Sequence, residues 1–395
     1  MLSVDSRWYV AIGLVALTLG LVAEAGAGSS PKTSLVSRQS AAAGGAGADG
    51  NSFNPSISAN GRFTTFESDG DNLSGADNDL VENIYVYDAE KRRIELISRR
   101  SNKGAGADDS SFSPEISASG RYVAFSTSAD NLGGPIDLDV ENVYVYDRKR
   151  EKTRLVSRRS GRSGIGANDS SFSAAISADG RFVGFTTLAT NLGGPADTDH
   201  NNIYVYDLER RKIQLVSRRS GRGGAGANDS ANTASLSADG RFVAMSSSAT
   251  NLGGPTQTNP LEGDANIYVY DRERRKMKLV SRRSKGAGGA GGNDSSGDPF
   301  ISANGQFVGF ETTATNLGGP LQTVAPSSNI YVYDREKSKI ALVSRQSRSA
   351  GGQGGDGESD DAVLSKSGRF VSFETDARNL GGPLTNTPGD DTAYL

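Results

Sequence analysis

One motif limits this chain more than anything else in it. Ile176-Ser-Ala-Asp-Gly-Arg-Phe-Val-Gly-Phe185 is followed by a polar loop, then Asn202-Ile-Tyr-Val-Tyr-Asp207, a basic turn and Leu215-Val-Ser217. The unit recurs from Lys32 to the C-terminus. Its opening aliphatic returns at Ile57, Ile116, Ile176, Leu236, Ile301 and Leu364. Its turn glycine returns at Gly61, Gly120, Gly180, Gly240, Gly305 and Gly368. Repetition at this period points to one supersecondary unit stacked many times.

Each unit holds four short runs of β-branched, aromatic and aliphatic residues bounded by Gly, Asn, Asp or Ser, the mark of short strands. We term them A (around Ile176), B (Phe182–Phe185), C (Ile203–Tyr206) and D (Ile213–Ser217). Ala178-Asp-Gly180 makes a tight A–B turn, because Gly supplies φ > 0 and Asp tolerates it. Strand C is apolar or aromatic at every position, so both of its faces must be covered. A meander covered on both faces is stacked between two others, as in a propeller blade.

The order of the runs predicts closure. A D-type run, Leu35-Val-Ser-Arg38, precedes the first A strand, while the last unit ends near Thr392-Ala-Tyr-Leu395 with none behind it. The expected fold is all-β: a six-bladed β-propeller of four-stranded antiparallel blades over residues 34–395. Its ring is closed by the N-terminal run acting as outer strand of the last blade. Residues 1–27 read as a signal peptide, with an apolar Trp8–Ala23 core and small-x-small cleavage positions near Ala25 and Ala27. Residues 28–33 read as a flexible leader. The expected location is periplasmic or secreted, with no membrane span after cleavage.

The pattern Ile-Ser-Ala-Asp-Gly-Arg-Phe-Val-x-Phe, Ile-Tyr-Val-x-Asp, Leu-Val-Ser resembles the WD-like repeats of the TolB-like six-bladed propellers over nearly all of residues 33–395. The N-terminal α/β domain of TolB has no counterpart before these repeats. The resemblance implies an exported binding or scaffold propeller, engaging an envelope or secreted protein or peptide, as a monomer.

Strand direction puts the D–A and B–C loops on one face, the top, and the A–B and C–D turns on the other. The repeat's extra length lies in top loops, where binding residues usually sit. The D–A loops end in polar clusters, which gives the candidate partner-binding set at the channel mouth: Asp49, Asp108, Asp109, Asn168, Asp169, Asn228, Asp229, Asn293, Asp294 and Asp356. The competing reading is that these Asx residues cap turns at strand starts. Three B–C loops continue as Asp-x-Asp: Asp77 and Asp79, Asp137 and Asp139, Asp197 and Asp199. Alternating carboxylates resemble the start of an oxygen-ligand calcium loop, so Ca2+ is the one cofactor considered, against solvated loop acids.

The C–D turns are basic, as in Arg210-Arg-Lys212 and Arg274-Arg-Lys276, and would form a positive bottom rim. The arginines closing strand D, Arg38, Arg99, Arg158, Arg218, Arg282 and Arg345, are expected in ion pairs. Nucleic acid is not expected: net charge is −3 and the rim lacks aromatic stacking residues. No cysteine is present and His200 is the single histidine, which removes thiolate sites, histidine-based metal catalysis and a Ser-His-Asp triad away from His200. From this the chain is expected not to be an enzyme. The alternative is a carbohydrate-binding or carbohydrate-active propeller using top-face carboxylates.

Overall fold

The computed structural model describes residues 33–74, 81–101, 104–134, 140–162, 164–195, 199–254, 264–285, 289–319, 328–347, 352–381 and 392–394. The expected signal peptide and nearly all of the leader lie outside these residues. No helix among them is long and apolar enough to cross a membrane.

Six antiparallel meanders follow one another. Sheet one is β1 (Ser52–Ile57), β2 (Phe63–Ser68), β3 (Asn83–Asp88) and β4 (Arg93–Leu96). Sheet two is β5 (Ser111–Ile116), β6 (Tyr122–Thr127), β7 (Asn142–Asp147) and β8 (Lys152–Leu155). Sheet three is β9 (Ser171–Ile176), β10 (Phe182–Thr187), β11 (Asn202–Asp207) and β12 (Lys212–Leu215). Sheet four is β13 (Ala231–Leu236), β14 (Phe242–Ser247), β15 (Asn266–Asp271) and β16 (Lys276–Leu279). Sheet five is β17 (Ser296–Ile301), β18 (Phe307–Thr312), β19 (Asn329–Asp334) and β20 (Lys339–Leu342). Sheet six is β21 (Ser359–Leu364), β22 (Val371–Thr375) and β23 (Thr392–Tyr394). The architecture is a six-bladed β-propeller.

Burial on both faces of the third strand builds the core. All six residues of β11 are buried. Its aromatic face, Tyr204 and Tyr206, packs with Phe185 against Val143 and Val145 of sheet two. Its aliphatic face, Ile203 and Val205, packs against Val243, Tyr268 and Tyr270 of sheet four. The same aliphatic-to-aromatic seam joins sheets one and two and sheets four and five, and a smaller core with Ile330, Phe373 and Tyr394 joins five and six. Each fully buried side chain of this size contributes about 1.5–3 kcal/mol.

The inner strands lie side by side around the axis, β1 with β5, β5 with β9, β9 with β13, β13 with β17 and β17 with β21. Each carries a bulge in its register with the second strand. The bulged residue has positive φ in every sheet although it is never glycine: Asn54, Ser113, Ser173, Thr233, Asp298 and Asp361, at 43–51°. Asn, Asp, Ser and Thr can hydrogen-bond locally, which offsets part of the cost of this conformation.

The A–B turns lock neighbouring sheets together. Gly180 sits at φ +74°, and a Cβ there would fall 2.4 Å from the Tyr122 ring of the preceding sheet. Ala118 N–H donates to Ala178 O, and Asp179 N–H to Ala238 O, continuing the ladder from sheet to sheet.

The N-terminal run takes the closing position on sheet one. Val36 and Ala48 pack on that sheet's aromatic face, against Phe66, Tyr85 and Tyr87. Val156 and Ala167, which follow the last strand of sheet two, cover sheet three in the same way. Among the described residues sheet six has three strands, β21, β22 and β23.

Candidate functional site

The ten mouth residues divide into two groups. In the first, a side-chain oxygen stitches the D–A loop to the B–C loop. Asn168 Oδ1 accepts from the Thr190 and Asn191 N–H groups at 3.0 and 3.2 Å. Asn228 Oδ1 does the same for Thr250 and Asn251, and Asn293 Oδ1 for Thr315 and Asn316. Asp108 accepts from Asp130 and Asn131, Asp356 from Arg378 and Asn379, and Asp49 from Asn72. The Asn of each Asn-Leu-Gly-Gly-Pro loop answers back, as Asn191 Nδ2 donates to Gly166 O at 2.9 Å.

The second group is Asp109, Asp169, Asp229 and Asp294. Each accepts the N–H of the following serine at 2.6–2.8 Å through Oδ1. No hydrogen bond within the described residues uses Oδ2. These four acids stand two residues before the inner strands β5, β9, β13 and β17, which lie side by side around the axis. His200 Nε2 lies 3.8 Å from Asp229. Of the six carboxylates expected as calcium ligands, Asp199 is described and exposed, and the other five lie outside the described residues. Among the described residues no group of three or more acids and histidines is arranged to hold a metal ion.

A second set of acids, on the first and second strands of the sheets, breaks the repeat, and the sequence reading overlooked it. Glu67 occupies a position held by Ser126, Thr186 and Ser246 in sheets two to four. It accepts from Asn54 Nδ2 and from the Ser113 N–H of the next sheet, both at 2.7 Å. Glu311 repeats this placement in sheet five with Asp298 where Asn54 stood. Burial, with Asp298, Asp360 and Asp361 close by, pushes Glu311 up to about 7. Burial likewise pushes Glu115 up to about 7, although it accepts the Ile176 N–H across the sheet two–three seam. The signal was present: comparing equivalent positions of successive repeats isolates these acids.

The strand-D arginines do not form the expected ion pairs among the described residues. Residues 157–162 and 164–167 pair as the two arms of a hairpin, with Arg159 N–H donating to Ile165 O and Ala167 N–H to Ser157 O. Arg158 Nη2 donates to Arg162 O and Gly164 O inside that hairpin, and Arg218 does the same to Arg222 O and Gly224 O. The Gly-rich turn offers converging carbonyls and no acid. The hairpin tip then reaches the edge strand of the next sheet: Gly161 N–H donates to Arg211 O, and Ile213 N–H to Ser160 Oγ. So this part of the D–A loop clasps the outer wall, and its Asx end alone reaches the mouth.

With this geometry in hand, comparison with solved structures places the fold. The chain resembles TolB from Acinetobacter baumannii, at 12% identity and TM-score 0.41, covering 76% of this chain and 58% of that one. It therefore spans under three-fifths of that TolB. A putative TolB from Agrobacterium tumefaciens matches at 13% identity and TM-score 0.42, over 74% and 80% of the two chains. A prolyl endopeptidase matches at 13% identity and TM-score 0.50, over 82% of this chain and 39% of that one. An oligogalacturonate lyase solved with manganese matches at 11% identity and TM-score 0.47, over 83% and 71%. No family model and no curated protein matches the chain.

These likenesses correct one expectation. The chain was expected not to be an enzyme. A prolyl endopeptidase shares this fold at TM-score 0.50, so the fold gives no ground for excluding catalysis.

Proposed function

We propose that this is an exported propeller of the cell envelope that binds a basic peptide segment or protein at the axial mouth. One observation carries the reading: four successive sheets present a carboxylate there, Asp109, Asp169, Asp229 and Asp294, each with one oxygen uncommitted. Four like charges held on rigid strand starts attract a cationic segment and orient it over the axis. Two of them, Asp109 and Asp169, are exposed, so a partner can reach them.

The test is a capture experiment from envelope extract using the wild type and a D109N/D169N/D229N/D294N variant. Asparagine keeps the Oδ1 acceptor for the following N–H and removes only the charge, so the fold is retained. A captured partner released by the variant supports the reading. Equal capture by both proteins rejects it.

A further inference from the structure

The hairpins bring together two sets of cations that the sequence keeps far apart. Arg159 and Arg162 lie at the tip of the hairpin following β8. That tip is bonded to the C–D turn of sheet three at Gly161–Arg211, 2.7 Å, and Ser160–Ile213, 3.0 Å. The turn carries Arg210, Arg211 and Lys212, so five cationic side chains converge on one stretch of outer wall. The next hairpin repeats the arrangement. Gly221 N–H donates to Arg275 O at 2.7 Å, which brings Arg219 and Arg222 to Arg274, Arg275 and Lys276.

At both clasps a neighbouring arginine takes the acids of the turn, and of the clasp cations Arg274 alone shares one among the described residues, 3.9 Å from Asp271. Arg181 of the A–B turn bonds Asp207 at 2.8 Å and Glu209 at 3.2 Å, the two acids of the sheet three turn. Arg241 bonds Asp271 at 2.9 Å and Glu273 at 3.3 Å in sheet four. Among the described residues Arg159, Arg162, Arg210, Arg211 and Lys212 form no ion pair. An open surface depression of about 530 Å3 is lined by Arg159, Ser160, Gly161, Arg162, Gly164 and Ile165, with Ile165 51% exposed. The hairpin backbone is stiffened by the Arg158 guanidinium, which fixes where its cationic residues leave the chain.

We propose that the outer wall at the sheet two–three and three–four clasps is a binding site for an acidic polysaccharide. Successive cationic clusters on a curved wall suit a flexible chain bearing carboxylates or sulfates at short intervals, whereas a flat anionic bilayer meets a curved wall along one line. Arginine forks match such groups bidentately.

The first clasp provides a built-in control. Sheet one has an equally basic turn, Lys91, Arg92 and Arg93, but the hairpin that meets it, through Ala41 N–H to Arg92 O, carries Gln39, Ser40 and Ala41. The experiment measures binding of labelled dextran sulfate, with neutral dextran and phosphatidylglycerol vesicles as separate arms, at low and moderate salt. R159Q/R162Q/R211Q is expected to weaken dextran sulfate binding about tenfold and to flatten its salt dependence. K91Q/R92Q/R93Q removes the same charge and is expected to change binding less than about twofold. R159Q/R162Q leaves the positive-φ turn residue in place and should reproduce most of the loss with an unchanged melting transition. Equal losses from the two triple variants, no loss from the hairpin variants, or binding to the vesicles in preference to dextran sulfate would each overturn the proposal.

Discussion

The residue that does most in each repeat is the arginine after the turn glycine. Arg181 Nε and Nη2 grip Asp207 at 3.1 and 2.8 Å, and the same carboxylate accepts the Glu209 and Arg210 N–H groups at 3.0 Å. Burial alone would raise this carboxyl. The Arg181 hydrogen bond, the turn N–H groups and the guanidinium charge together hold it below the usual carboxylate range. Sheet five departs from the rule: Gln306 replaces the arginine and reaches Asp334 only at 3.4 Å. Gln306→Arg is therefore expected to stabilise the protein by about 0.5–1 kcal/mol, read as a raised midpoint in urea. The axial acids titrate in the opposite direction. The folded state raises Glu115 to about 7, so the stability associated with its proton is present below the ordinary glutamate range and is lost as pH climbs towards 7. Glu115→Gln is expected to remove part of the fall in stability between pH 5 and 8, on the order of 2 kcal/mol. A variant whose stability falls as steeply as the wild type's over that window would show that Glu115 is not the titrating group.

Among elements, the strands and their short turns were legible because their signals are local. Alternation, the Asp-Gly turns and the two-sided burial of Asn202–Asp207 are all written in a few consecutive residues. The clasp hairpins were not legible, because a Gly-rich run declares no partner and Ser160 bonds an edge strand 53 residues away. The positive-φ bulges were hidden for a different reason: Asn54, Ser113, Thr233 and Asp298 look like ordinary polar strand residues. The ten expected mouth residues could not be divided from sequence, since caps and uncommitted acids share one Asx-Asp-Ser pattern. The clasp covers an edge strand that would otherwise leave N–H groups open. Ser160→Ala and Ser220→Ala should each cost about 1 kcal/mol, with faster amide exchange at Ile213 and Met277 respectively. Uniform exchange changes across all sheets would argue that the clasps do not protect individual edges.

At the scale of the whole molecule, the five seams between consecutive sheets follow one rule that the two terminal sheets leave unfinished. Phe63, Tyr122, Phe182, Phe242 and Phe307 each lie against the turn glycine of the following sheet. Phe370, their equivalent in sheet six, is 47% exposed, and Gly61 has no neighbour in that place. The first sheet's aromatic face is covered by Val36 and Ala48, and its edge by the hairpin at residues 38–47, where Ile94 N–H donates to Ser40 Oγ and Ala41 N–H to Arg92 O. The N-terminal segment thus acts on sheet one as each internal hairpin acts on the sheet after it. Removing residues 34–42 separates this arrangement from the strand-exchange closure expected from repeat order. The structure predicts that the truncation loosens sheet one, with amide protection lost at Ile94 and Tyr85 and a lower melting temperature, while β22 and β23 keep theirs. A run that also pairs with β23 as the outer strand of the last blade predicts loss at both places, with exchange accelerating at Tyr394 as well. Hydrogen exchange followed by mass spectrometry on the truncated and full chains reads both regions in one experiment. An unchanged sheet one would show that the N-terminal run does not cover it.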